Sequence, residues 1–351
     1  MVECALYKPA IQKSGESKTD IPEVTIVVLN YNGKKYIHDC LNSIFRMNYP
    51  NFKVLVIDNA SWDSSPLVVK QEFPRAKLVE HRRNHGFAKA YNMALVDVDS
   101  EFIVLLNNDV KVEPDWLNEL IHVISGDDKI SAVTPKMLFK HDTNLINAAG
   151  GKCDIYGSGW NRGNGENDIG QYEKIEEVFY VNFGAVVIRK NAWKDVGSLD
   201  EQYFLYGEDL DWCWRARLKG YKIYYIPQAR VYHEWRGSRG PMIPLLERNW
   251  LMTAIKNFDS VTLLKLAPRF VSLKAAVGVW LLLKGRSLSE KFAVPNGFIW
   301  NLKKFGQIWK NRLLIQASRK IDDSEIRRFM YNGSLELSLG LRRIRHPIVD
   351  N

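Results

Sequence analysis

Long apolar runs are scarce in these 351 residues. The longest, Ala275 to Leu283, lies between Lys274 and Lys284 and falls short of the ~20 residues that a spanning helix needs, so no transmembrane segment is expected. The first stretch, MVECALYKPAIQKSGESKTD, lacks the apolar run of a signal peptide and reads as a flexible tail over residues 1–21. Cysteine is also sparse. Cys4, Cys40, Cys153 and Cys213 make neither a CxxC pair nor a zinc spacing, which points to a reducing compartment. Neither GxGxxG nor a GxxxxGK loop followed by Ser or Thr occurs, which argues against a dinucleotide fingerprint and a P-loop. With 46% hydrophobic and 25% charged residues, a largely disordered chain is excluded as well.

What the chain does carry is a net charge of +9, unevenly placed. Residues 241–351 hold 19 of the 49 Lys and Arg but only 8 of the 40 Asp and Glu, which leaves residues 1–240 slightly acidic. A nucleic-acid binder would spread basic residues over its folded face, so nucleic acid is not an expected partner.

Between the tail and residue 240, β-branched runs alternate with amphipathic segments. VTIVVLNYNG (24–33), FKVLVIDNAS (52–61), AKLVE (76–80) and EFIVLLNND (101–109) read as strands, separated by helices. Such buried strands predict an α/β fold with a parallel sheet covered on both faces, and ligands then bind beyond the carboxyl ends of the strands. Residues 141–177, rich in Gly and Asn, read as a long surface excursion, VFYVNFGAVVIRK (178–190) as a returning strand, and the segment from Glu208 to Gly220 as a helix followed by another strand.

Several polar groups stand where chemistry is expected. In LLNNDV, Asp109 follows two amides at a strand end and suits Mg2+ or Mn2+ shared with substrate phosphates; the same residues also make an Asx turn. Asp58 can accept from a ribose hydroxyl or a base N–H, or cap the next helix. Arg82, Arg83 and His85 precede a Gly-started helix, a favourable place for a diphosphate, or form a solvated basic turn. Glu208, Asp209 and Asp211 crowd a helix N-terminus, where the helix dipole favours ionised carboxylates. Asp211 is expected to pair with Arg215 one turn on, leaving Glu208 and Asp209 for general-base work or simple capping. His233 follows an apolar strand, and Arg236 and Ser238 in the next Gly-containing loop suit phosphate contacts.

Taken together, VVLNYNG, IDNASWDSS, NHGFAKAYN, LLNND, FLYGEDLDWCWR and VYHEWRGS, in this order, resemble the family 2 inverting glycosyltransferases, most closely their rhamnosyltransferase-like and galactofuranosyltransferase-like members. The resemblance covers roughly residues 22–250. It implies a GT-A fold, Rossmann-like and built for nucleotide-diphospho-sugars, over residues 22–240, with a C-terminal helical extension over 241–351. It implies nucleotide contacts at Asn30, Asn32, Asp58, Asn84, Gly86, Asn107 and Asn108, and Asn107 to Asp109 as the DXD-type element with Asp109 on the metal. It also implies a base within the Glu208–Asp209 pair, favouring Asp209, and a further metal or phosphate contact at His233. The usual first acid of DXD is Asn107 here.

The activity so implied is transfer of one or a few sugars, with inversion, from a nucleotide-diphospho-sugar to a glycan or polyprenyl-linked acceptor, using Mg2+ or Mn2+. QxxRW, the mark of processive synthases, is absent. The competing expectation is a nucleotidyltransferase or a sugar-nucleotide-binding protein, but no GxGTR-type start follows the first strand. In the last third, Phe298, Leu302, Phe305 and Trp309 are expected on one helix face among Lys303, Lys304, Lys310 and Arg312. That pattern suits the anionic headgroups of a membrane, or packs as a lid; the former places the protein on the cytoplasmic side of the cell membrane, peripherally bound.

Overall fold

The computed structural model describes residues 21–234, 242–334 and 336. The expected tail therefore lies outside the described residues, apart from Ile21. Twelve strands are described: β1 (Val24–Asn30), β2 (Phe52–Asp58), β3 (Ala76–Glu80), β4 (Phe102–Asn107), β5 (Val110–Val112), β6 (Ile130–Phe139), β7 (Ile146–Ala148), β8 (Gly151–Cys153), β9 (Gly159–Asn161), β10 (Glu176–Glu177), β11 (Ala185–Arg189) and β12 (Lys222–His233). The helices are α1 (Ile37–Phe45), α2 (Ser65–Glu72), α3 (Gly86–Ala94), α4 (Trp116–Ser125), α5 (Lys190–Val196), α6 (Glu208–Leu218), α7 (Met242–Asn257), α8 (Ser260–Lys284), α9 (Leu288–Lys291), α10 (Ala293–Lys303), α11 (Phe305–Ser318) and α12 (Asp323–Ile326).

The main sheet runs β10-β12-β6-β11-β4-β1-β2-β3. Its β3-β2-β1-β4 half is parallel, as expected from the unbroken apolar runs. The sheet as a whole is mixed, because β11 lies antiparallel between β4 and β6. Direction escapes a reading of hydrophobicity: AVVIR is buried at every position, and a central strand covered on both faces shows the same run in either orientation.

Alternate sheet residues enter two cores. Ile26, Val28, Val56, Val104 and Leu106 meet α1, α2 and α4, while Val27, Ile57, Leu105 and Val186 meet α3, α5 and α6. Trp250, Ala254 and Phe258 at the start of the helical region join the second core, and Phe258 packs edge-on to Trp214 with ring centroids 4.7 Å apart.

Two expectations need correction. Residues 141–177 are not a surface excursion. β7 pairs with β6, β8 and β9 form a hairpin, and Ile146, Ala149 and Cys153 are core. Lys136, fully buried on β6, anchors the segment by binding Asp168 at 2.9 Å and also Glu173. In the C-terminal region, the expected single helix is broken at Lys304 into α10 and α11. Phe298 turns inward against Phe270, whereas Leu302, Phe305 and Trp309 stay exposed.

Helix α8 is also longer than its nine-residue apolar run. Its 25 residues are long and apolar enough to cross a membrane, with 28% of the most apolar window buried. Lys274, which appeared to end that run, is buried and bound to Glu247 at 2.8 Å and Glu336 at 2.6 Å.

Candidate active site

The strand register levels the carboxyl ends that matter: Asn30 of β1 lies beside Asp58 of β2, and Leu29 beside Asn107 of β4. Asn30 is fully buried, and both ends of its amide are engaged. Its Nδ2 donates to Asp58 Oδ1 at 2.7 Å and Ser65 Oγ at 2.8 Å, and its Oδ1 accepts from Asn108 Nδ2 at 2.7 Å. Asn30 thus holds Asp58 and Asn108 rather than facing solvent. Gly33 permits that junction, since a Cβ there would stand 2.0 Å from Asn108 Nδ2. Asn32, at φ 50°, accepts Trp62 N at 2.9 Å and so shapes the turn after Asp58.

A second junction joins β2 to α3. Asn59 donates to Asn84 Oδ1 at 2.9 Å, and Asn84 Oδ1 accepts from Gly86 N at 2.8 Å. Gly86 has φ +76°, and a Cβ there would stand 2.5 Å from the Phe204 carbonyl oxygen, so glycine is demanded by both backbone and space. Arg82 and Arg83 are exposed beside this junction.

Asp109 and His233, expected to share a cation, are brought together by the pairing of β5 with β12, which sets His233 opposite Val110. His233 Nε2 lies 3.3 Å from Asp109 Oδ1, and Nδ1 lies 3.0 Å from Asn147 Oδ1. With Nδ1 donating to Asn147, Nε2 is the acceptor of the ring, and beside the Asp109 carboxylate it makes a mixed nitrogen and oxygen donor pair. This donor set fits a divalent ion. Among the described residues no group of three or more His, Cys, Asp or Glu side chains could hold one, so further ligands would come from phosphate oxygens and water.

At the start of α6, Glu208 and Asp209 differ from Asp211 beside them. Burial opposes ionisation of Asp211, but Lys256 at 2.9 Å and Arg215 at 3.0 Å outweigh it and keep its pKa below the usual range. Among the described residues Glu208 has no such cation: burial and then the Asp209 charge push it well up, and its Oε2 lacks a hydrogen-bond partner there. Burial raises Asp209 to about 6 against hydrogen bonds from backbone N–H groups that include Leu210 and Phe183. The expectation that the helix dipole favours ionised carboxylates is met most strongly at Asp211, whereas desolvation works against the dipole and raises Glu208 and Asp209. The Gly184 carbonyl, one residue on from Phe183, accepts Asn107 N at 2.9 Å.

Asn59, Asn147 and Asn182 also serve the site, Asn182 by accepting Gly184 N at 2.7 Å. Of these only Asn59 had a signal, as a polar residue at a strand end. Arg236 and Ser238 lie outside the described residues.

Residues 25–196 match the model of the family described as glycosyl transferase family 2. The N-acetylglucosaminyl-diphospho-decaprenol L-rhamnosyltransferase of Mycobacterium tuberculosis is 24% identical over 245 residues, covering 63% of this chain and 78% of the relative. Among solved structures, GalNAc-T7 with UDP, GalNAc and Mn2+ aligns with a TM-score of 0.57 at 16% identity, over 82% of this chain and 57% of that one. The mannosyltransferase PcManGT of Pyrobaculum calidifontis, in complex with GDP-Man and Mn2+, aligns with a TM-score of 0.51 at 18% identity, over 86% of both chains.

Proposed function

Because the chain carries a family 2 glycosyltransferase domain, we propose that it moves a sugar from a nucleotide-diphospho-sugar to a hydroxyl of a lipid-linked glycan, with inversion, in cell-surface polysaccharide or glycoconjugate synthesis. The observation that carries this reading is the meeting of Asp109, just after β4, with His233, at the end of β12, 3.3 Å apart. Asp209 takes the proton of the acceptor hydroxyl as its oxygen attacks the anomeric carbon, and the bond to the diphosphate breaks with its electrons leaving on the nucleotide. Glu208 is raised well above its ordinary value by burial and by the Asp209 charge beside it. Asp109 and His233 would hold Mg2+ or Mn2+, which supplies charge neutralisation for the departing diphosphate. Asp58 and the Asn84–Gly86 junction would meet the nucleoside, with Asn30 and Asn108 behind them. Solved structures of this fold with nucleotides and Mn2+ support the metal, and the relative named for a diphospho-decaprenol substrate supports a lipid-linked acceptor.

A membrane surface is proposed as the place of work. Leu264, Val271, Leu282 and Leu283 of α8 are exposed, as are Leu302, Phe305 and Trp309, and Lys265, Arg269, Lys284, Lys303, Lys304 and Lys310 are exposed among them. Apolar and basic residues together suit the cytoplasmic, anionic face. The test is a panel of nucleotide sugars with Mn2+ and a polyprenyl-diphosphate-sugar acceptor, with product anomers assigned by NMR. Turnover with inversion is expected; retention of configuration, or no turnover with any donor, would overturn the reading. Salt-sensitive binding to anionic vesicles is expected alongside, and salt-insensitive absence of binding would remove the membrane part.

A further inference from the structure

The residues that present the base are held from outside the family-matched segment. Glu208 is preceded by the turn Tyr203–Gly207, in which Phe204 at φ 56° and Tyr206 at φ 68° occupy the left-handed region that side chains other than glycine avoid. Such a turn persists only where its surroundings over-determine it. One anchor is the donor-side junction, because Phe87 N donates to Phe204 O at 2.6 Å. The other is α7. Asn249 is fully buried, and its Nδ2 donates to the carbonyls of Leu205 at 3.0 Å and Tyr206 at 2.6 Å. Its neighbour Arg248 donates to Tyr203 O at 3.0 Å and to Asn249 Oδ1 at 2.8 Å, which fixes the amide orientation. Thr253, one turn further on, meets the Tyr203 hydroxyl at 2.6 Å.

We propose that Asn249 is a positioning residue for the reaction: by holding the 203–207 turn it places the Glu208–Asp209 pair, so the C-terminal helical region is part of the transferase rather than an appendage to it. This rests on Asp209 as base. Removing this buried amide takes away the donor shared by the Leu205 and Tyr206 carbonyls, and a base displaced by about 1 Å loses on the order of 10²-fold in rate.

The experiment uses the full chain and the nucleotide sugar that turns over in the donor panel. Asn249→Ala is expected to lower kcat at least tenfold. KM for the donor, and the binding stoichiometry of its nucleoside diphosphate product, should stay within twofold, because β1, β2 and β4 are untouched. Hydrogen exchange should rise in residues 203–210 and not in β1–β4. Asn249→Ser, which keeps one donor, should recover part of the rate, and it carries the test by the same criteria if the Ala variant does not fold. Unchanged kcat, or kcat and stoichiometry falling in proportion, would overturn the proposal. Asp209→Asn is run beside it. If that variant is inactive while Asn249→Ala is not impaired, the positioning role alone fails; if it keeps full turnover, the base assignment has failed first.

Discussion

Around Asn30 the polar side chains are spent on one another, while at the start of α6 Glu208 Oε2 has no hydrogen-bond partner among the described residues. The first region is made of neutral amides and hydroxyls that cross-link three strand ends, with Asp58 as its carboxylate. It holds a shape. The second places two adjacent carboxylates in a desolvated position with no cation against them among the described residues, and desolvation raises both. Asp211, two residues on, shows that the same helix end can stabilise a charge when Lys256 and Arg215 are supplied. In the proposed reading, a nucleotide platform and a general base require opposite treatment of polar groups, and the strand ends and the start of α6 provide the two treatments.

The contrast can be broken at several points. The largest effect is expected from Asp209→Asn, about 10²–10⁴-fold in kcat with donor binding retained, measured by steady-state turnover and calorimetry. Next is Lys256→Met, which strands Asp211 and Asp200 in the interior and should cost about 3–5 kcal/mol in denaturant unfolding. The sign with pH follows from the same pair. Asp200 is held at about 2 and Asp211 below its usual value, so this stabilisation is full above the unfolded pKa of about 3.9 and fades as pH falls toward 2. Asn30→Ala should cost about 1–3 kcal/mol by leaving buried partners of Asp58 and Asn108 unmet, without moving the pH dependence of the rate. Comparable in size is Asn147→Ala, which removes the amide that orients the His233 ring and should weaken Mn2+ binding about 10–100-fold.

Much of this was legible before the fold. The four parallel strands, the polar residues at their carboxyl ends, the helix at Glu208 and the Asp211–Arg215 pair follow from local patterns. The antiparallel β11 did not, because burial on both faces erases direction. Nor did the folding of residues 141–177, whose core contacts depend on Lys136 meeting acids more than thirty positions away. At the site, Asp109 and His233 meet through the pairing of β5 with β12, and their likeness to a known pattern was the only hint. The raised pKa of Asp209 was misread from the helix dipole, since desolvation is a property of the packed interior. Asn147 and Asn249 carried no signal, being single amides in unremarkable surroundings.

The most direct measurement is the pH dependence of kcat for the wild-type chain with a saturating donor. A half-buried Asp209 that must be ionised to act predicts an acid limb with its midpoint at about pH 6, and a limb at about pH 4, the range of an ordinary solvated carboxylate, would contradict it.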